Sequence, residues 1–403
     1  MTPLRDKKIT LGITGGIAAY KSCELTRLLV KAGADVHVVM SKAATEFIGP
    51  LTFETLSGNP VATDRFSGTM PHLQLTRDGC DLLLIAPATA NCIAKTANGI
   101  ADDLLSTAIL GRDCPMAVAP AMNSNMWNSA PTQRNITQIK ADGISIIGPE
   151  NGELACRVSG AGRMAQPEHI VAEVKRLLTP ATLDGKRILI TAGPTSEAID
   201  PVRVITNRSS GKQGYAIARA AFEAGADVTL ISGPTALRAP WGVRTILVES
   251  ACEMLDAVMK RVHDVDAFVS VAAVADWRPK CVSSNKIKKG QYSLPTDMVE
   301  NPDILHTVCS MQQDRPFCIG FAAETEHIIA YAQRKLLYKG ADLIIANDAN
   351  RALGSDQNAV HFVTADAVES FATADKDCVA REIVKYLGQV LHSCGEIHAT
   401  KRT

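Results

Sequence analysis

The sequence has few aromatic residues, no net charge and no long apolar segment, and each of these absences narrows the possible functions. Aromatic residues make up 4% of the 403 positions and hydrophobic residues 46%, which indicates packed α/β layers built from small aliphatic side chains. Basic and acidic residues each number 42, without a long run of either sign, so neither bulk nucleic-acid binding nor attraction to a membrane surface is expected. No apolar stretch approaches the roughly 18 residues of a membrane span, and no secretory leader pattern is recognisable. We therefore expect a cytoplasmic protein without nucleic-acid or membrane partners.

Cysteine is present, but it lacks the spacing of a metal site or a disulfide framework. The chain has 11 cysteines, an odd number, and no two of them form a Cys-x-x-Cys pair. This distribution fits a reducing compartment. Any functional cysteine therefore has to be argued individually.

The first half begins with a strand, a glycine turn and a helix. Lys8–Ile13 reads as a strand and Thr14-Gly15-Gly16 as a tight turn, with a helix predicted over 17–31 and a second strand over 36–40. A Rossmann dinucleotide site is the first hypothesis. However, the turn is not Gly-x-Gly-x-x-Gly, and the second strand ends in Ser41-Lys42 rather than in an acidic residue for the ribose hydroxyl. A mononucleotide such as FMN needs phosphate donors and no such acid, so the pattern favours it.

Further apolar runs of the first half end in small or polar residues. Buried strands are predicted over 81–86 and 116–119, followed by Pro87–Asn91 and Pro120–Trp127. In a doubly wound sheet, ligands bind at the carboxyl ends of the strands, so these residues are candidates for a site. The segment 154–164 is rich in glycine and has no periodic pattern, which is typical of a mobile flap.

The second half opens with a unit of the same type. Ile188–Ile190 predicts a buried strand, and a helix over 215–224 is followed by another strand over 228–231. The polar loop Asn207–Lys212 precedes this helix, whose N-terminal amide groups favour an anion such as a phosphate. A solvated surface loop is the alternative interpretation.

The boundary between the halves is expected where Thr179-Pro180-Ala181 follows a charged helix. The sequence therefore predicts an α/β protein with two doubly wound domains, residues 1–180 and 181–403.

Ordered motifs in both halves resemble enzymes of coenzyme A biosynthesis. The first half contains GITGGIAAYKS, HLQL, APATAN, ADDLLST, PAMNSNM and AC…GAGRM, which resemble the FMN-dependent decarboxylases of 4′-phosphopantothenoyl-L-cysteine. The second half contains AGPT, DPVRVITNRSSGKQG, AAVADW, KIKK, NPDIL, GFAAET and ANDA, which resemble phosphopantothenate–cysteine ligase. With both sets in one chain, the sequence is identified as a member of the bacterial bifunctional family. This resemblance implies a flavodoxin-like flavoprotein domain followed by a Rossmann-like ligase domain.

The resemblance implies three catalytic residues and an FMN site in the first domain. Loss of CO₂ from a cysteine carboxylate needs an electron sink, which flavin oxidation of the thiol-bearing carbon provides. His72 is the implied base or electrostatic partner of this oxidation, Asn123 holds the substrate, and Cys156 supplies a proton after CO₂ is lost. A lone histidine or cysteine is more often structural, so these roles depend on the motifs occurring together. The implied FMN contacts are Gly15, Gly16, Ser41, Thr89 and Asn91.

In the same segment as Cys156, the sequence departs from the family pattern. Arg157 follows the cysteine, where the family usually has a small residue. None of the reacting groups is changed by this difference, which concerns the fit of the flap over the substrate.

In the second domain, the resemblance implies activation of a carboxylate by CTP. The carboxylate of 4′-phosphopantothenate attacks the α-phosphate to give an acyl-cytidylate, and the amine of L-cysteine then displaces CMP. Negative charge develops at phosphorus, so lysines and Mg²⁺ are the expected stabilising groups. Asn207 is the implied orienting residue, and Lys286 is the implied essential lysine of the second half-reaction. The implied CTP contacts are Asp276, Pro302, Asp303, Ile304, Phe321, Lys335 and Lys339; no Mg²⁺ ligand is assigned.

The resemblance also implies a homo-oligomer, in which decarboxylase trimers are joined through ligase dimers into a dodecamer. The alternative function from another class is a flavin-binding electron carrier or sensor fused to a nucleotide-binding module. A carrier would need none of His72, Asn123 and Cys156, whose joint occurrence therefore favours an enzyme. A nicotinamide dehydrogenase is disfavoured by the missing ribose acid.

Overall fold

The computed structural model describes residues 3–64, 75–77, 79–153, 159–288, 297–348 and 357–399. The chain divides into two compact units, Met1–Thr179 and Pro180–Thr403, which are described separately. Within the described residues, no helix is both long enough and apolar enough to cross a membrane.

The first unit contains a five-stranded parallel sheet in the order β2-β1-β3-β4-β5. This is the flavodoxin-like order, which places a topological switch point between β1 and β3. The strands are β1 Lys8–Ile13, β2 Asp35–Met40, β3 Leu82–Ala88, β4 Met116–Pro120 and β5 Ser145–Ile146.

Helices cover both faces of this sheet because the strands are apolar on both sides. In β3, Leu82 and Leu84 pack into one core, whereas Leu83 and Ile85 pack into the other, and all four are fully buried. The helices are α1 Ala19–Lys31, α2 Lys42–Thr45, α3 Pro50–Ser57, α4 Ala90–Asn98, α5 Leu104–Leu110, α6 Ser124–Asn128, α7 Ala130–Ala141 and α8 Pro167–Leu178.

The segment predicted to be a mobile flap, residues 154–164, lies only in part within the described residues. Its flanks form an antiparallel hairpin, β6 Glu150–Glu153 and β7 Ser159–Arg163, around residues 154–158, which lie outside the described part. Two glycines of this segment allow close packing. A Cβ at Gly160 would lie 2.5 Å from Ser124 Oγ, and one at Gly162 would lie 2.4 Å from the Met122 carbonyl oxygen. The two glycines therefore let the hairpin pack closely against the Ser124 side chain and the Met122 backbone.

The second unit contains an eight-stranded sheet in the order β12-β11-β8-β13-β16-β17-β19-β20. The first six strands are parallel and follow the Rossmann order, while β19 and β20 are antiparallel additions. These strands are β8 Arg187–Ala192, β11 Asp227–Ser232, β12 Arg244–Leu247, β13 Ala267–Ser270, β16 Phe317–Glu324, β17 Leu343–Asp348, β19 Val360–Val363 and β20 Val368–Ser370. The predicted fold of two doubly wound α/β domains is confirmed.

Short antiparallel pairs and helices complete the second unit. Buried Ile188 and Ile190 face one helix layer and Leu189 faces the other. The pairs are β9 Ser196–Ala198 with β10 Val204–Thr206, β14 Trp277–Pro279 with β15 Met298–Glu300, and β18 Gln357–Asn358 with β21 Ala374–Asp375. The helices are α9 Lys212–Glu223, α10 Ala251–Met259, the 3₁₀ turn Val262–Asp264, α11 Ile304–Cys309, α12 Ile328–Lys339 and α13 Lys376–Ala399.

Candidate functional site

In the first unit, the carboxyl ends of the parallel strands border two adjoining clefts. The first cleft, of about 420 Å³, is lined by Gly15, Ser41, Thr89 and Asn91 among others. The second, of about 600 Å³, shares Gly15 and Thr89 with the first and adds Gly16 and Asn123. The structure therefore brings together all five predicted FMN contacts and one of the three predicted catalytic residues.

Hydrogen bonds and close packing fix the shape of the first cleft. The buried Thr14 hydroxyl donates to the Pro87 carbonyl oxygen at 2.7 Å and accepts from the Thr89 amide at 3.1 Å, which ties the turn after β1 to the turn after β3. A Cβ at Gly15 would lie 2.4 Å from Ala43 Cβ, so the turn packs directly against α2. The Thr89 hydroxyl accepts from the Cys92 amide at 3.4 Å and caps α4. A helix N-terminus and nearby hydroxyls favour a phosphate group, so these residues fit a mononucleotide.

Asn123 lies on the second cleft, where α6 begins. Its Oδ1 accepts from the Asn125 amide at 2.8 Å, which fixes the orientation of the side-chain amide. The preceding residue, Met122, donates its amide to the Gly162 carbonyl oxygen at 2.9 Å, so the Asn123 loop is attached to strand β7. Cys156 and His72 lie outside the described residues, and their predicted roles stay predictions.

Lys21, which the sequence motifs did not single out as a site residue, also lines the second cleft. This residue is 7% exposed, and its Nζ donates to the Met164 carbonyl oxygen at 2.9 Å. Burial, and then the nearby Arg163, lowers the pKa of Lys21, while Glu150 and Glu168 oppose the shift. The helical spacing could have indicated that Lys21 is buried, because it precedes buried Leu25 by four residues and so lies on the same face of α1.

In the second unit, Asn207 follows β10 and contacts the loop after β13. Its Nδ2 donates to the Val274 carbonyl oxygen at 2.9 Å and to that of Ala273 at 3.3 Å. The same loop contains Asp276, whose carbonyl oxygen accepts from the Asn301 amide at 2.8 Å. Asn301 also donates its Nδ2 to the Ala275 carbonyl oxygen at 2.8 Å, which links the segment before α11 to this loop.

The predicted CTP contacts Phe321, Lys335, Lys339 and Asp303 form connected pairs. Lys335 Nζ donates to the Phe321 carbonyl oxygen at 2.8 Å, and Lys339 forms an ion pair with Asp303. Burial, and then Lys339, lowers the pKa of Lys335, against the opposing charges of Glu324, Asp303 and Asp276. The two lysines lie one helical turn apart on α12, and each ammonium group is held by an acceptor of the protein.

Asp303 also fixes the start of α11. Its Oδ1 accepts from the His306 amide at 2.9 Å. Burial alone would raise the pKa of Asp303, but the Lys339 pair and this hydrogen bond outweigh it and lower the pKa. Ile304 is buried in the core, and Pro302 precedes the cap.

Lys286 is exposed on the segment after β14, and its position depends on the following residue. The Ile287 amide donates to Asp200 Oδ2 at 3.1 Å, and Arg203 donates to the Ile287 carbonyl oxygen at 3.1 Å. Asp200 and Arg203 lie in the turn between β9 and β10, and Asn207 follows β10. The same hairpin therefore connects to both predicted catalytic residues of this unit. Among the described residues, no cluster of three or more histidine, cysteine, aspartate or glutamate side chains is arranged to hold a metal ion.

Comparisons with known proteins identify both units. The flavoprotein family model matches residues 1–179, and the model of the DNA/pantothenate metabolism flavoprotein C-terminal domain matches residues 183–391. A coenzyme A biosynthesis bifunctional protein CoaBC of Vibrio vulnificus is 48% identical over 396 residues, covering 96% of this chain and 98% of the relative. The Escherichia coli K12 protein of that name is 45% identical over 369 residues, covering 89% of this chain and 91% of the relative.

One solved structure is similar to part of this chain. The crystal structure of the C-terminal domain of a coenzyme A biosynthesis bifunctional protein CoaBC is 45% identical, with a TM-score of 0.46, and covers 53% of this chain and 99% of that chain. The predicted resemblance is confirmed by the near-complete relatives, which support the enzyme hypothesis and not the electron-carrier alternative. The two family models match consecutive parts of the chain, and the relatives align with it over nearly its full length at 45% to 48% identity. This chain therefore belongs to the family of the coenzyme A biosynthesis bifunctional protein CoaBC.

Proposed function

We propose that the chain makes 4′-phosphopantetheine from 4′-phosphopantothenate, L-cysteine and CTP in two reactions. The second unit joins phosphopantothenate to the cysteine amine, with CMP and pyrophosphate as the other products. The first unit then removes the cysteine carboxylate as CO₂. The observation that supports this order of units most directly is the match of a flavoprotein model to residues 1–179 and of a distinct C-terminal model to residues 183–391.

FMN is the proposed cofactor of the first unit. When bound, FMN would accept a hydride from the thiol-bearing carbon and later return it, which makes the carboxylate able to leave. The first cleft fits its phosphate because the turn at Gly15 and Gly16 precedes α1, and the Thr89 hydroxyl caps α4. Ser41 and Asn91 line the same cleft and would contact the remaining polar atoms of the cofactor.

The proposed role of Asn123 follows from its geometry and its neutrality. Because its Oδ1 accepts from the Asn125 amide, Nδ2 is the atom that would donate to the substrate carboxylate. A neutral donor orients this carboxylate without stabilising its charge strongly, so it does not oppose the loss of CO₂. His72 would assist oxidation and Cys156 would return a proton to carbon, as the resemblance implies.

In the second unit, the proposed reaction separates into two half-reactions. The phosphopantothenate carboxylate attacks the α-phosphate of CTP and pyrophosphate leaves, which gives the acyl-cytidylate. The cysteine amine then attacks the acyl carbon and CMP leaves. Asn207 would orient the intermediate, and Lys286 would stabilise charge on the departing phosphate. Lys335 and Lys339 supply positive charge beside Asp276 and Phe321, and Mg²⁺ would arrive with the CTP phosphates that bind it.

Assembly into a homo-oligomer is also proposed, as trimers of the first unit joined through dimers of the second into a dodecamer. Around the second cleft, Ile17 and Tyr20 are 59% and 57% exposed, and Met126 is 49% exposed. Large apolar side chains exposed beside a cleft favour burial by another chain. We also propose that the protein is located in the cytoplasm.

The ligase proposal is tested by Lys286→Gln, with Lys260→Gln as the matched control at an exposed position of the same unit. Loss of one charge stabiliser costs about 10² to 10³ in rate by analogy with single oxyanion donors. We therefore expect Lys286→Gln to block amide formation and accumulate acyl-cytidylate from mass-tagged CTP. It should still decarboxylate supplied phosphopantothenoylcysteine, because the two units have separate sheets.

Two results would contradict this proposal. Normal amide formation by Lys286→Gln would remove the lysine from the reaction. Simultaneous loss of both activities would show that the substitution disrupts the whole protein or that the units do not act separately. Lys260→Gln should retain both activities.

A further inference from the structure

The Asp200 turn, residues 199–203 between β9 and β10, contains a buried carboxylate with an unusual set of donors. Asp200 is 2% exposed. Its Oδ1 accepts from the Val202 and Arg203 amides, both at 2.8 Å. Its Oδ2 accepts from Arg203 Nη1 at 2.5 Å and from the Ile287 amide at 3.1 Å. One oxygen therefore closes the turn, while the other reaches a residue 87 positions later in the chain.

The distant partner, the Ile287 amide, belongs to the peptide bond between Lys286 and Ile287. The Ile287 N–H is part of the peptide that leaves Lys286, so the Asp200 Oδ2 bond fixes the plane of that peptide. Arg203 Nη1 donates to the Ile287 carbonyl oxygen at 3.1 Å and fixes the next peptide as well. A third bond, from the Ser283 amide to the Ile199 carbonyl oxygen at 3.1 Å, attaches the start of the same segment. The exposed Lys286 thus extends from backbone held on both sides.

The same hairpin also positions Asn207. Thr206, the last residue of β10, donates its hydroxyl to the Thr195 carbonyl oxygen at 2.7 Å, just before β9. Asn207 follows directly and donates to the Val274 carbonyl oxygen at 2.9 Å. The hairpin therefore relates the two residues to each other, Asn207 by direct continuity and Lys286 through the Asp200 carboxylate.

We propose that Asp200 is a positioning residue of the ligase reaction, which holds the peptide after Lys286 so that the ammonium group meets the acyl-cytidylate held by Asn207. This inference rests on the proposed function of Lys286 and adds a residue whose carboxylate oxygens are occupied by four donors of the chain itself. The charge state of Asp200 fits the role. Burial alone would raise the pKa of its carboxyl, but the Val202, Ile287 and Arg203 hydrogen bonds outweigh burial and lower it to about 2. The carboxylate is therefore ionised, and all its oxygen lone pairs accept, throughout the neutral range.

Asp200→Asn is the direct test, with Asp256→Asn on the exposed side of α10 as the matched control. If the Oδ1 atom of the new asparagine keeps the hydrogen bonds from the Val202 and Arg203 amides, its NH₂ group takes the place of Oδ2. This group is a donor and would face the Ile287 amide and the Arg203 guanidinium, which are donors too, so the bonds that hold the Lys286 segment are lost. A misplacement near 1 Å costs about 10² in rate. We expect amide formation from the acyl-cytidylate to fall by about that factor. Formation of acyl-cytidylate and the KM for CTP should change less than about twofold, since only interactions of the second step are lost.

A double variant distinguishes positioning from a general structural role. If Asp200 acts through Lys286, Asp200→Asn combined with Lys286→Gln should be no slower than Lys286→Gln alone, whereas independent effects would multiply. Asp200→Ser is the second variant, because serine can accept within the turn but is too short to reach Ile287. It should reproduce the Asp200→Asn result.

The outcomes separate this inference from the proposed function. Normal amide formation by Lys286→Gln would contradict the function proposed for that lysine. A blocked Lys286→Gln beside a normal Asp200→Asn would overturn the inference alone. Multiplying effects in the double variant would also overturn it, as would loss of folding in both Asp200 variants, because Asp200 would then be a structural residue of the hairpin.

Discussion

Gly162→Ala provides a test of how the first unit holds its Asn123 loop. Gly162 has a φ of +128°, a conformation that side-chain-bearing residues rarely adopt. Its Cβ would lie 2.4 Å from the Met122 carbonyl oxygen and 3.4 Å from the Asn123 carbonyl carbon. Both neighbours are backbone atoms, so no flexible side chain can move aside. The strand or the Asn123 loop has to shift.

The size of the shift follows from these distances. Ordinary van der Waals contact begins at 3.4 Å, so the Met122 carbonyl and the new methyl have to separate by about 1 Å. Backbone strain at this φ adds about 1 to 3 kcal/mol. A 1 Å misplacement of a positioning group costs about 10² in rate. Decarboxylation should therefore fall by about that factor, while ligation by the second unit stays unchanged.

The assay measures CO₂ release from phosphopantothenoylcysteine and amide formation from phosphopantothenate in the same preparation. Gly143→Ala is the control, because Gly143 has a φ of +80° but no atom within 4 Å of its Cβ position. This variant introduces strain without collision, so it should lose some stability and keep its decarboxylase activity. Full decarboxylase activity in Gly162→Ala would refute the argument that β7 positions Asn123.

Two further predictions concern single residues of each unit. Cys156→Ser should bleach the flavin absorbance on addition of phosphopantothenoylcysteine yet release no phosphopantetheine, because a hydroxyl is a much weaker acid than a thiol. Product at the wild-type rate would make Cys156 structural. Burial and Lys339 lower the pKa of Lys335 below its ordinary value of 10.5, so its charge is lost as the pH rises through that lowered value. As the pH is raised, the KM for CTP of the wild type should therefore begin to increase before pH 10.5 is reached. Lys335→Arg stays charged, so this increase should be absent in the variant. The same pH profile in the wild type and the variant would exclude Lys335 from CTP binding.

Much of the fold follows from apolar runs and turn residues. Strand β1 has the predicted bounds, Lys8–Ile13, because its alternating apolar residues Ile9, Leu11 and Ile13 lead directly into a glycine turn, which leaves few alternatives. Helix α9 instead begins at Lys212, three residues before the predicted start at Tyr215. Gly211 adopts a φ of +73° just before it, which lets the chain enter the helix earlier than the apolar face indicates.

The residues that the sequence could not reveal depend on distant partners. Lys21 is held by a carbonyl oxygen 143 positions away, and Asp200 by an amide 87 positions away. The hairpin of β9 and β10 has only three residues in each strand, too few for an alternating pattern to be recognised. The motifs predicted which side chains would gather at the strand ends, because parallel strands share a carboxyl edge. They contained no information on the hydrogen bonds that orient those side chains.

The most direct test of the whole account uses L-cysteine labelled at its carboxyl carbon. The purified chain, supplied with FMN, is incubated with 4′-phosphopantothenate, labelled cysteine and Mg²⁺, with CTP present or omitted, and the products are analysed by mass spectrometry. We predict that CTP gives CMP, pyrophosphate, labelled CO₂ and unlabelled 4′-phosphopantetheine, and that omission of CTP gives none of them. Label retained in a pantetheine product, or labelled CO₂ released without CTP, would contradict the account.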